Sequence, residues 1–219
     1  MPCAGGVILS VFGRTIRRTN DGRKSVHFRE AYAGEKTTMK QKNILETPRL
    51  LLREMDESDL PALKEIVQDA ETMWAYAHAF SDAEAQAWLD NQLRRYREDG
   101  FGLWAMIDKM SGQVIGQCGV TLQQTPQGTV HEVGYLLNRH WWHLGYAIEA
   151  ARACKDYAFE NIGAEQVCSI FRTENLPSQR VAIRNGMVPR SLFTKHYWHQ
   201  DMPHVVYSIS RAEWENRKW

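Results

Sequence analysis

A strand, a long helix and a second strand follow one another in the second half of the chain, and this succession limits the fold more than any other feature. Residues 129–138 and 166–171 have the pattern of strands, and WWHLGYAIEAARACKDYAFENIG at 141–163 has the spacing of an amphipathic helix. A helical crossover makes the two strands that it joins parallel neighbours in one sheet. The sequence therefore predicts one βαβ unit.

Short apolar runs predict further strands around this unit, and capped amphipathic runs predict further helices. The predicted strands cover 46–55, 102–107, 114–122, 188–197 and 204–209, and the predicted helices begin at about 56, 81 and 176. Turn residues join neighbouring strands at 108–112 and 125–128. The sequence predicts an α+β domain with a mostly antiparallel mixed sheet and one parallel strand pair.

The first 42 residues differ from the rest of the chain in their patterning. They are rich in Gly, Thr and Arg, and we predict an appendage over residues 1–42 and one domain over residues 43–219. The arginines of GRTIRRTNDGRK allow a nucleic-acid-binding arm, but no interleaved aromatic residues or motif accompany them, which favours a solvated tail. A third interpretation takes Met39 as the natural start of the chain.

Charge and cysteine content exclude several classes of protein. A net charge of +1, from 27 basic and 26 acidic residues, gives no global field that would recruit nucleic acid or an anionic membrane. The four cysteines form no C-x-x-C pair, which is typical of reduced thiols in a cytosolic protein. No apolar run approaches the ~20 residues of a membrane helix. We predict a cytoplasmic protein with neither nucleic acid nor membrane as partner.

Gly145 stands at the start of the predicted crossover helix, where an ordinary helix gains nothing from a glycine. The first turn of a helix carries free backbone N–H groups and about half a positive charge, so a glycine there lets an anionic ligand approach. Alternatively, Gly145 only eases a tight connection. Its position favours a ligand, because the helix would begin at the carboxyl ends of the parallel strands, where open sheets bind ligands.

Three ordered motifs resemble those of a known family. They are ETPRLLLREMDESDL with its T-x-R-L-x-L-R form, EVGYLLNRHWWHLGYAIEAARACKDYAF and ENLPSQRVAIRNGM. They are similar to the GCN5-related N-acetyltransferases (GNAT), in particular to the branch that acetylates the N-termini of ribosomal proteins, over about residues 45–209. The resemblance implies a three-layer fold with helices on both sheet faces and a splayed parallel strand pair as the cofactor cleft. It also implies transfer of an acetyl group from acetyl-CoA to a primary amine by direct attack on the thioester.

The resemblance assigns residues to acetyl-CoA. The backbone near Leu136 and Leu137 would pair with the pantetheine arm as an added strand, and Asn175 matches the asparagine that contacts this arm. The pyrophosphate would lie on the backbone N–H groups of one loop, made of His143, Leu144, Gly145, Tyr146 and Ala147.

This loop departs from the family pattern. Trp142 stands where the wider family has Gln or Arg, and His143 and Leu144 stand where Gly and a basic residue are common. The missing cation predicts a weaker grip on phosphate, and the missing glycine predicts a shifted loop. These departures keep a second hypothesis open, a non-catalytic acyl-CoA-binding module.

Acetyl transfer needs a base for the amine, polarisation of the thioester carbonyl and a proton for the leaving thiolate. Glu132 matches an acidic position of the family and is the candidate base, with a solvent-facing glutamate as the alternative. Ser178 matches the serine suspected as the acid, although with Asn175 it also suits a helix cap. Tyr135 points to the opposite face and suits the core. N–H groups near Leu137 would polarise the carbonyl if the strand bulges there.

The acceptor amine stays open between a protein N-terminus and a small amine such as a polyamine, an amino acid or an aminoglycoside. Histidines at H-x-x-H spacing (His140 and His143, His196 and His199) lack completing ligands, so no metal is predicted. A polyamine would need acids at the cleft, for which the candidates are Asp82, Glu84 and Glu132. Aromatic segments at 74–80 and 196–199 suit either an acceptor pocket or packing, and a homodimer is one option for the assembly.

Overall fold

The computed structural model describes residues 42–197 and 199–216. The predicted appendage lies outside this part of the chain except for its last residue, and so does Trp198 of one candidate acceptor segment. The appendage therefore stays a prediction.

Strands and helices follow one another in the predicted order. The strands are β1 (Asn43–Glu46), β2 (Leu50–Arg53), β3 (Leu103–Asp108), β4 (Val114–Thr125), β5 (Gly128–Leu137), β6 (Gln166–Arg172), β7 (Val188–Tyr197) and β8 (Gln200–Ser210). The helices are α1 (Leu60–Val67), α2 (Asp82–Glu98), α3 (Tyr146–Tyr157), α4 (Leu176–Arg184) and α5 (Arg211–Glu215). The predicted capping box is confirmed, because Ser81 Oγ accepts from Glu84 N while the Glu84 carboxylate accepts from Ser81 N.

The described strands form one eight-stranded sheet in the order β1-β2-β3-β4-β5-β6-β8-β7. Within it β5 and β6 are parallel, and the other neighbouring pairs are antiparallel. The predicted parallel pair is therefore confirmed, and α3 is the crossover that makes it parallel.

One predicted strand, residues 46–55, is wrong. Strand β1 ends at Glu46 and β2 covers Leu50–Arg53, and the two strands pair antiparallel across a tight turn. In this turn Thr47 N donates to Leu50 O at 2.9 Å, and Thr47 Oγ1 accepts from Leu50 N at 3.0 Å. Pro48 takes a central position of the turn, where its fixed φ favours the reversal.

Helices cover both faces of the sheet, as predicted. Trp88 of α2 donates to Gln117 of β4, whereas Cys154 of α3 contacts Cys118 of β4. Successive residues of a strand point to opposite faces, so α2 and α3 lie on opposite sides. The core on the α3 side includes Trp104, which is fully buried. A smaller core lies between the sheet and α1 and α2.

The crossover helix is shorter than the predicted span of 141–163. Residues Arg139–Trp141 form a 3-10 turn, α3 begins at Tyr146, and a π-helical turn at Ala158–Ile162 leads to Gly163. Its buried face also holds a residue that an amphipathic pattern places in solvent, Lys155, whose Nζ donates to Asn185 O at 3.4 Å. A carbonyl at the end of α4 thus compensates the buried ammonium.

In the described part of the chain, no helix combines the length and the apolarity that crossing a membrane requires.

Candidate active site

The parallel pair opens soon after it forms. The register joins β5 to β6 through His131–Val167 and Glu132–Cys168, and no later pair follows along either strand within the described residues. Side chains bridge the point of separation: Ser169 Oγ donates to Val133 O at 2.9 Å, and the Ile170 N–H donates to Glu132 Oε1 at 3.1 Å. We call this point, formed by residues 132–133 and 169–170, the strand fork. Beyond it, the facing edges of both strands are open to a ligand.

Glu132 lies at the vertex of the strand fork on the sheet face covered by α2. Burial raises the pKa of its carboxyl group, while Lys195, the Ile170 N–H and Arg95 each lower it in part. The net pKa is raised above the ordinary value of a glutamate, which suits a group that takes up a proton in a reaction. The side chain is part-buried, which favours this interpretation over a solvent-facing glutamate.

The register of β4 and β5 determines which backbone groups of β5 face the open side. Val133 O accepts from Ser169 of β6, and residues along a strand alternate between its two neighbours. Tyr135 and Leu137 therefore face the open side with Val133, whereas Leu136 faces β4 opposite Gln117. The register does not support the prediction for Leu136. Trp142 Nε1 donates to Leu137 O at 3.0 Å.

The bulge that carbonyl polarisation near Leu137 would require is absent from the β4–β5 ladder. The pairing runs without a shift from Gly116–Leu137 to Thr125–Gly128. Polarisation of a thioester carbonyl by bulged N–H groups at Leu137 is therefore not supported. Gly134 also leaves less room than its lack of a side chain suggests, because a Cβ built there would lie 3.3 Å from Leu103 Cδ2.

Residues 143–147, which we call the cofactor loop, join β5 to α3 with two left-handed backbone positions. Gly145 has φ 84° and His143 has φ 63°. The left-handed region costs a non-glycine residue roughly 1 kcal/mol or more, although histidine enters it more often than most. The loop therefore keeps a left-handed position where the family pattern has glycine, so loss of this glycine has not straightened the loop.

The cofactor loop presents backbone donors that the protein does not use. No described residue accepts from the N–H groups of Gly145, Tyr146 or Ala147, and the first intrahelical bond runs from Glu149 N to Gly145 O at 3.2 Å. Together with the helix dipole, these donors would suit an anion at the carboxyl end of β5. The chemistry of the loop thus fits a phosphate group.

The turn between β1 and β2 fastens the cofactor loop from outside. Arg49 Nη1 donates to Leu144 O at 2.9 Å, and Arg49 Nε pairs with Glu149 Oε2 at 2.6 Å. Thr47 Oγ1 donates to Glu149 Oε1 at 2.6 Å, and the Arg49 guanidinium lies 4.2 Å from the centre of the Tyr146 ring. The Thr and the first Arg of T-x-R-L-x-L-R are these two residues. The motif is evident in the sequence, but its contact with the cofactor loop was not predicted.

Tyr146 fixes the first turn of α3 to the sheet. Its side chain is buried, and its hydroxyl donates to Asp108 Oδ1 of β3 at 3.0 Å. The Trp141 ring packs edge-on against it at 5.6 Å. Burial and the bond to Asp108 raise the pKa of Tyr146. Only the backbone of Tyr146 is thus available to a ligand at the loop.

Asn175 and Ser178 lie at the start of α4, just beyond β6. Asn175 is the N-cap, and its Oδ1 accepts from Ser178 N at 3.1 Å, so the alternative of a helix cap is realised. Tyr135 reaches the same turn from β5, where its hydroxyl donates to Ser178 O at 3.1 Å. Tyr135 packs against the core as expected, but its hydroxyl bridges the two sides of the opening.

Aromatic residues between α1 and α2 lie over the sheet face of Glu132. The Trp74 carbonyl accepts from Arg172 Nη1 at 3.4 Å, which connects the Trp74–Tyr76 turn to β6. On its other side the Tyr76 ring packs edge-on against Trp88 of α2 at 5.7 Å. The turn therefore spans from α2 to β6 above the strand fork.

The histidines with H-x-x-H spacing form no cluster with other ligands. His196 Nδ1 lies 2.9 Å from Asp201 Oδ1 near the tip of the β7–β8 hairpin, and His140 and His143 are exposed. Among the described residues, no group of three or more His, Cys, Asp or Glu side chains could hold a metal ion.

The open parallel pair, the free N–H groups at its far end and the carboxylate at its vertex define an acyltransferase-like cleft. The chain belongs to the GNAT acetyltransferase family, because the model of the acetyltransferase (GNAT) domain matches residues 49–188. It is an N-acetyltransferase, and acetyl-CoA is the co-substrate of this family.

Individual relatives agree with this membership. The chain is 35% identical to the Bacillus subtilis protein YkkB over 68% of this chain and 87% of YkkB. It is 28% identical to the FsC-acetyl coenzyme A-N(2)-transacetylase of Aspergillus fumigatus over 81% of this chain and 80% of that enzyme. The ribosomal L7/L12 alpha-N-protein acetyltransferase RimL, solved with coenzyme A, has the same fold with a TM-score of 0.64 at 15% identity, covering 77% of this chain and 98% of RimL.

Proposed function

We propose that this chain transfers the acetyl group of acetyl-CoA to a primary amine by direct attack of the amine on the thioester. The observation that carries the proposal is the strand fork, where a part-buried carboxylate lies at the vertex of an open strand pair. In the reaction the amine nitrogen bonds to the acetyl carbon, the carbon–sulfur bond breaks, the amine loses a proton and the CoA thiolate gains one.

The cofactor loop is the proposed site of the pyrophosphate. Its free N–H groups at Gly145, Tyr146 and Ala147 and the N-terminus of α3 support this role. The loop carries no Lys or Arg side chain, so the proposed binding relies mainly on backbone donors. Between the loop and the strand fork, the backbone of Tyr135 and Leu137 is proposed to pair with the pantetheine arm, because both residues face the open side of β5.

Glu132 is the proposed base for the amine, directly or through one water molecule. Its burial and raised pKa support this role, since a base is most effective when its pKa lies near the working pH. The hydrogen bond from the Ile170 N–H holds one carboxylate oxygen at the fork, where the reacting acetyl group would end. The other oxygen is left to accept a proton.

Ser178 is the proposed proton donor for the leaving thiolate, by its match to the family motif. Its backbone N–H is bound by the Asn175 side chain, which places the residue in the first turn of α4 beside the opening. The Tyr135 hydroxyl also lies at this turn and could supply the proton instead. A Ser178→Ala variant that keeps its rate of thiol release, beside a Tyr135→Phe variant that loses it, would transfer the role to Tyr135.

The test is calorimetric titration with acetyl-CoA, followed by a free-thiol assay with N-terminal peptides, polyamines, amino acids and aminoglycosides. Amine-dependent thiol release is the expected result, and the most active amine names the acceptor class. Acetyl-CoA binding without release for any amine would instead favour the acyl-CoA-binding module. Absence of binding at millimolar acetyl-CoA would refute the cofactor loop as a phosphate site.

A further inference from the structure

Two cations flank the strand fork without a carboxylate of their own. Arg95 of α2 and Lys195 of β7 are both part-buried, and neither has a carboxylate oxygen within 4.0 Å in residues 42–197 and 199–216. Other part-buried arginines differ, since Arg53 pairs with Asp59 at 2.7 Å and Arg211 with Glu165 at 3.5 Å. Part-buried charges are normally paired, so a missing anion is expected here.

The strand registers place Lys195 on the sheet face of Glu132. Glu132 pairs with Cys168 of β6. Arg172 lies four residues further along β6 and pairs with His204 of β8. His204 pairs with Phe193 of β7, and Lys195 is two residues further on. Directly paired residues share a face, and so do residues two apart on one strand. The Lys195 Nζ lies over the Phe193 ring, 5.7 Å from its centre.

Arg95 reaches the same face from α2. It lies two helical turns after Trp88, which donates to Gln117, and one turn after Gln92, whose Oε1 accepts from Leu103 N at 3.0 Å. The Cβ of Arg95 lies beside Gly102, the residue before β3, where an added Cβ would be 3.4 Å from it. Arg95 Nη1 donates to Gln92 Oε1 at 3.5 Å. Arg95 and Lys195 are the two side-chain cations that act on the Glu132 carboxyl group.

Two buried amide donors on this side of the sheet have no acceptor among the described residues. Gln92 and Gln117 are fully buried, and each uses its carboxamide oxygen as an acceptor. The Nε2 group of each has no hydrogen-bond partner among the described residues. Buried N–H groups are rarely left without an acceptor in a complete protein–ligand assembly. The face that carries the two cations thus also holds spare hydrogen-bond donors.

The acidic side chains that would favour a polyamine are already engaged. Asp82 pairs with Lys64 Nζ at 2.8 Å, outside the fork, and Glu84 binds Ser81 and His78. Of the three acidic candidates, Glu132 alone is at the fork, where it faces two cations. A second ammonium group on the acceptor would meet like charge, which opposes binding.

From this arrangement we infer that the acceptor is a primary amine that carries a carboxylate a few bonds from its nitrogen, and that Arg95 and Lys195 bind this carboxylate. The inference rests on the proposed function and narrows it. Either a free amino acid or a peptide with an acidic first residue has the required chemistry. Each would place its amine beside Glu132 while its carboxylate completes the charge balance.

The experiment compares kcat/KM for acceptors matched in all but charge. Glycine is compared with glycinamide, and a peptide that begins with Asp is compared with the same peptide that begins with Asn, with putrescine as the dicationic amine. The carboxylate member is expected to be preferred in at least one pair, and putrescine is expected to be the poorest acceptor. The pair that shows the preference identifies the source of the carboxylate. Preference for the neutral members or for putrescine would overturn the inference.

Variants then assign the preference to residues. Arg95→Gln and Lys195→Gln keep the packed stem and are expected to lower the acid-to-amide ratio about tenfold or more, with little change for the amide member. Arg95→Lys should retain most of the ratio, and Arg97→Gln, on the exposed side of the same helix, should leave it unchanged. A ratio unchanged in both glutamine variants would refute the role of these cations.

The failure of this inference is distinguishable from failure of the proposed function. Thiol release with neutral amines alone would retain the N-acetyltransferase and refute the anionic acceptor. Binding of acetyl-CoA with no thiol release for any amine would refute the proposed function and, with it, the inference that depends on it.

Discussion

The two ends of the cleft are built in different ways. The cofactor loop offers backbone N–H groups and no Lys or Arg side chain, and side chains from the β1–β2 turn and from β3 hold it in place. The strand fork offers side chains, with Glu132 on β5, Arg95 on α2 and Lys195 on β7. Backbone donors can bind a phosphate regardless of which amine is the acceptor, whereas side chains can differ between enzymes that use different acceptor amines. We therefore expect the cofactor loop to be common to the family and the strand fork to select the acceptor.

The largest expected effect concerns the fork. Glu132→Gln should lower kcat by about 10²- to 10⁴-fold through loss of the base. Acetyl-CoA affinity should not change, because the cofactor loop lies at the other end of β5. The measurements are steady-state thiol release and calorimetry. A large loss of acetyl-CoA affinity with unchanged kcat would break the distinction between the two ends.

The pH dependence of the wild type sharpens the same prediction. Burial raises the pKa of Glu132, opposed in part by Lys195, the Ile170 N–H and Arg95. A base works deprotonated, so kcat/KM should fall as the pH drops through this raised pKa. Tyr76 and Cys168 also feel the Glu132 charge, but burial raises their own pKa values above the range of this limb. Arg95→Gln should shift the limb to higher pH, because one stabilising cation is removed.

Ionisation of Glu132 favours activity but opposes folding, so its effect on stability changes with pH in the opposite direction to its effect on kcat/KM. A carboxyl group whose pKa is higher in the folded state favours folding only while it is protonated, so its contribution is lost as the pH rises through the folded pKa. Glu132→Gln keeps an oxygen for the Ile170 N–H and removes the buried charge. The variant should therefore be at least as stable as the wild type at neutral pH, as thermal unfolding would measure.

The next largest expected effect, after those at the fork, concerns the cofactor loop. Gly145 has φ 84°, and a Cβ there would lie 3.4 Å from Arg49 Nη2, so Gly145→Ala should strain the loop and weaken acetyl-CoA binding about tenfold. Gly163→Ala is the matched control, because Gly163 has φ 79° at the other end of the same helical segment with no atom within 4 Å of the added Cβ. The control should lose similar stability and retain its acetyl-CoA affinity. Equal loss of affinity in both would show that strain acts through the whole helix.

The sequence predicted the cofactor loop better than the fork for a physical reason. The βαβ order, Gly145 and the N-x-x-S segment are local along the chain, so their spacing indicates the crossover and the site at its start. The fork combines residues from α2, β5 and β7, whose meeting depends on the β6-β8-β7 strand order and on α2 packing across the sheet. Helical spacing likewise does not predict that Lys155 is buried, because the spacing contains no information on the carbonyl at the end of α4 that accepts from its Nζ.

The third prediction concerns the turn that fastens the cofactor loop. Arg49→Ala removes the donor to Leu144 O and the ion pair with Glu149, whose lowered pKa depends in part on Arg49 and Thr47. Loss of this support should raise the Kd for acetyl-CoA by about three- to tenfold while kcat at saturating acetyl-CoA stays near wild type. Arg94→Ala, which removes the exposed pair with Glu98 and the hydrogen bond to Asn91 Oδ1 within α2, is the control. A fall in kcat without a change in Kd would mean that the turn acts on the fork.

The smallest expected effect concerns the histidine in the loop. His143 holds φ 63° without being a glycine, so His143→Gly should relieve backbone strain, partly offset by the greater freedom of glycine in the unfolded chain, for a net gain of about 0.5–1 kcal/mol. Ala77→Gly is the matched control, because Ala77 has φ 71° at the end of the Trp74–Tyr76 turn. Both should raise the free energy of unfolding, and neither should weaken acetyl-CoA binding, since the loop binds through its backbone. If His143→Gly lowers the affinity while Ala77→Gly does not, the imidazole itself contacts the ligand, and the cofactor end too would depend on a side chain.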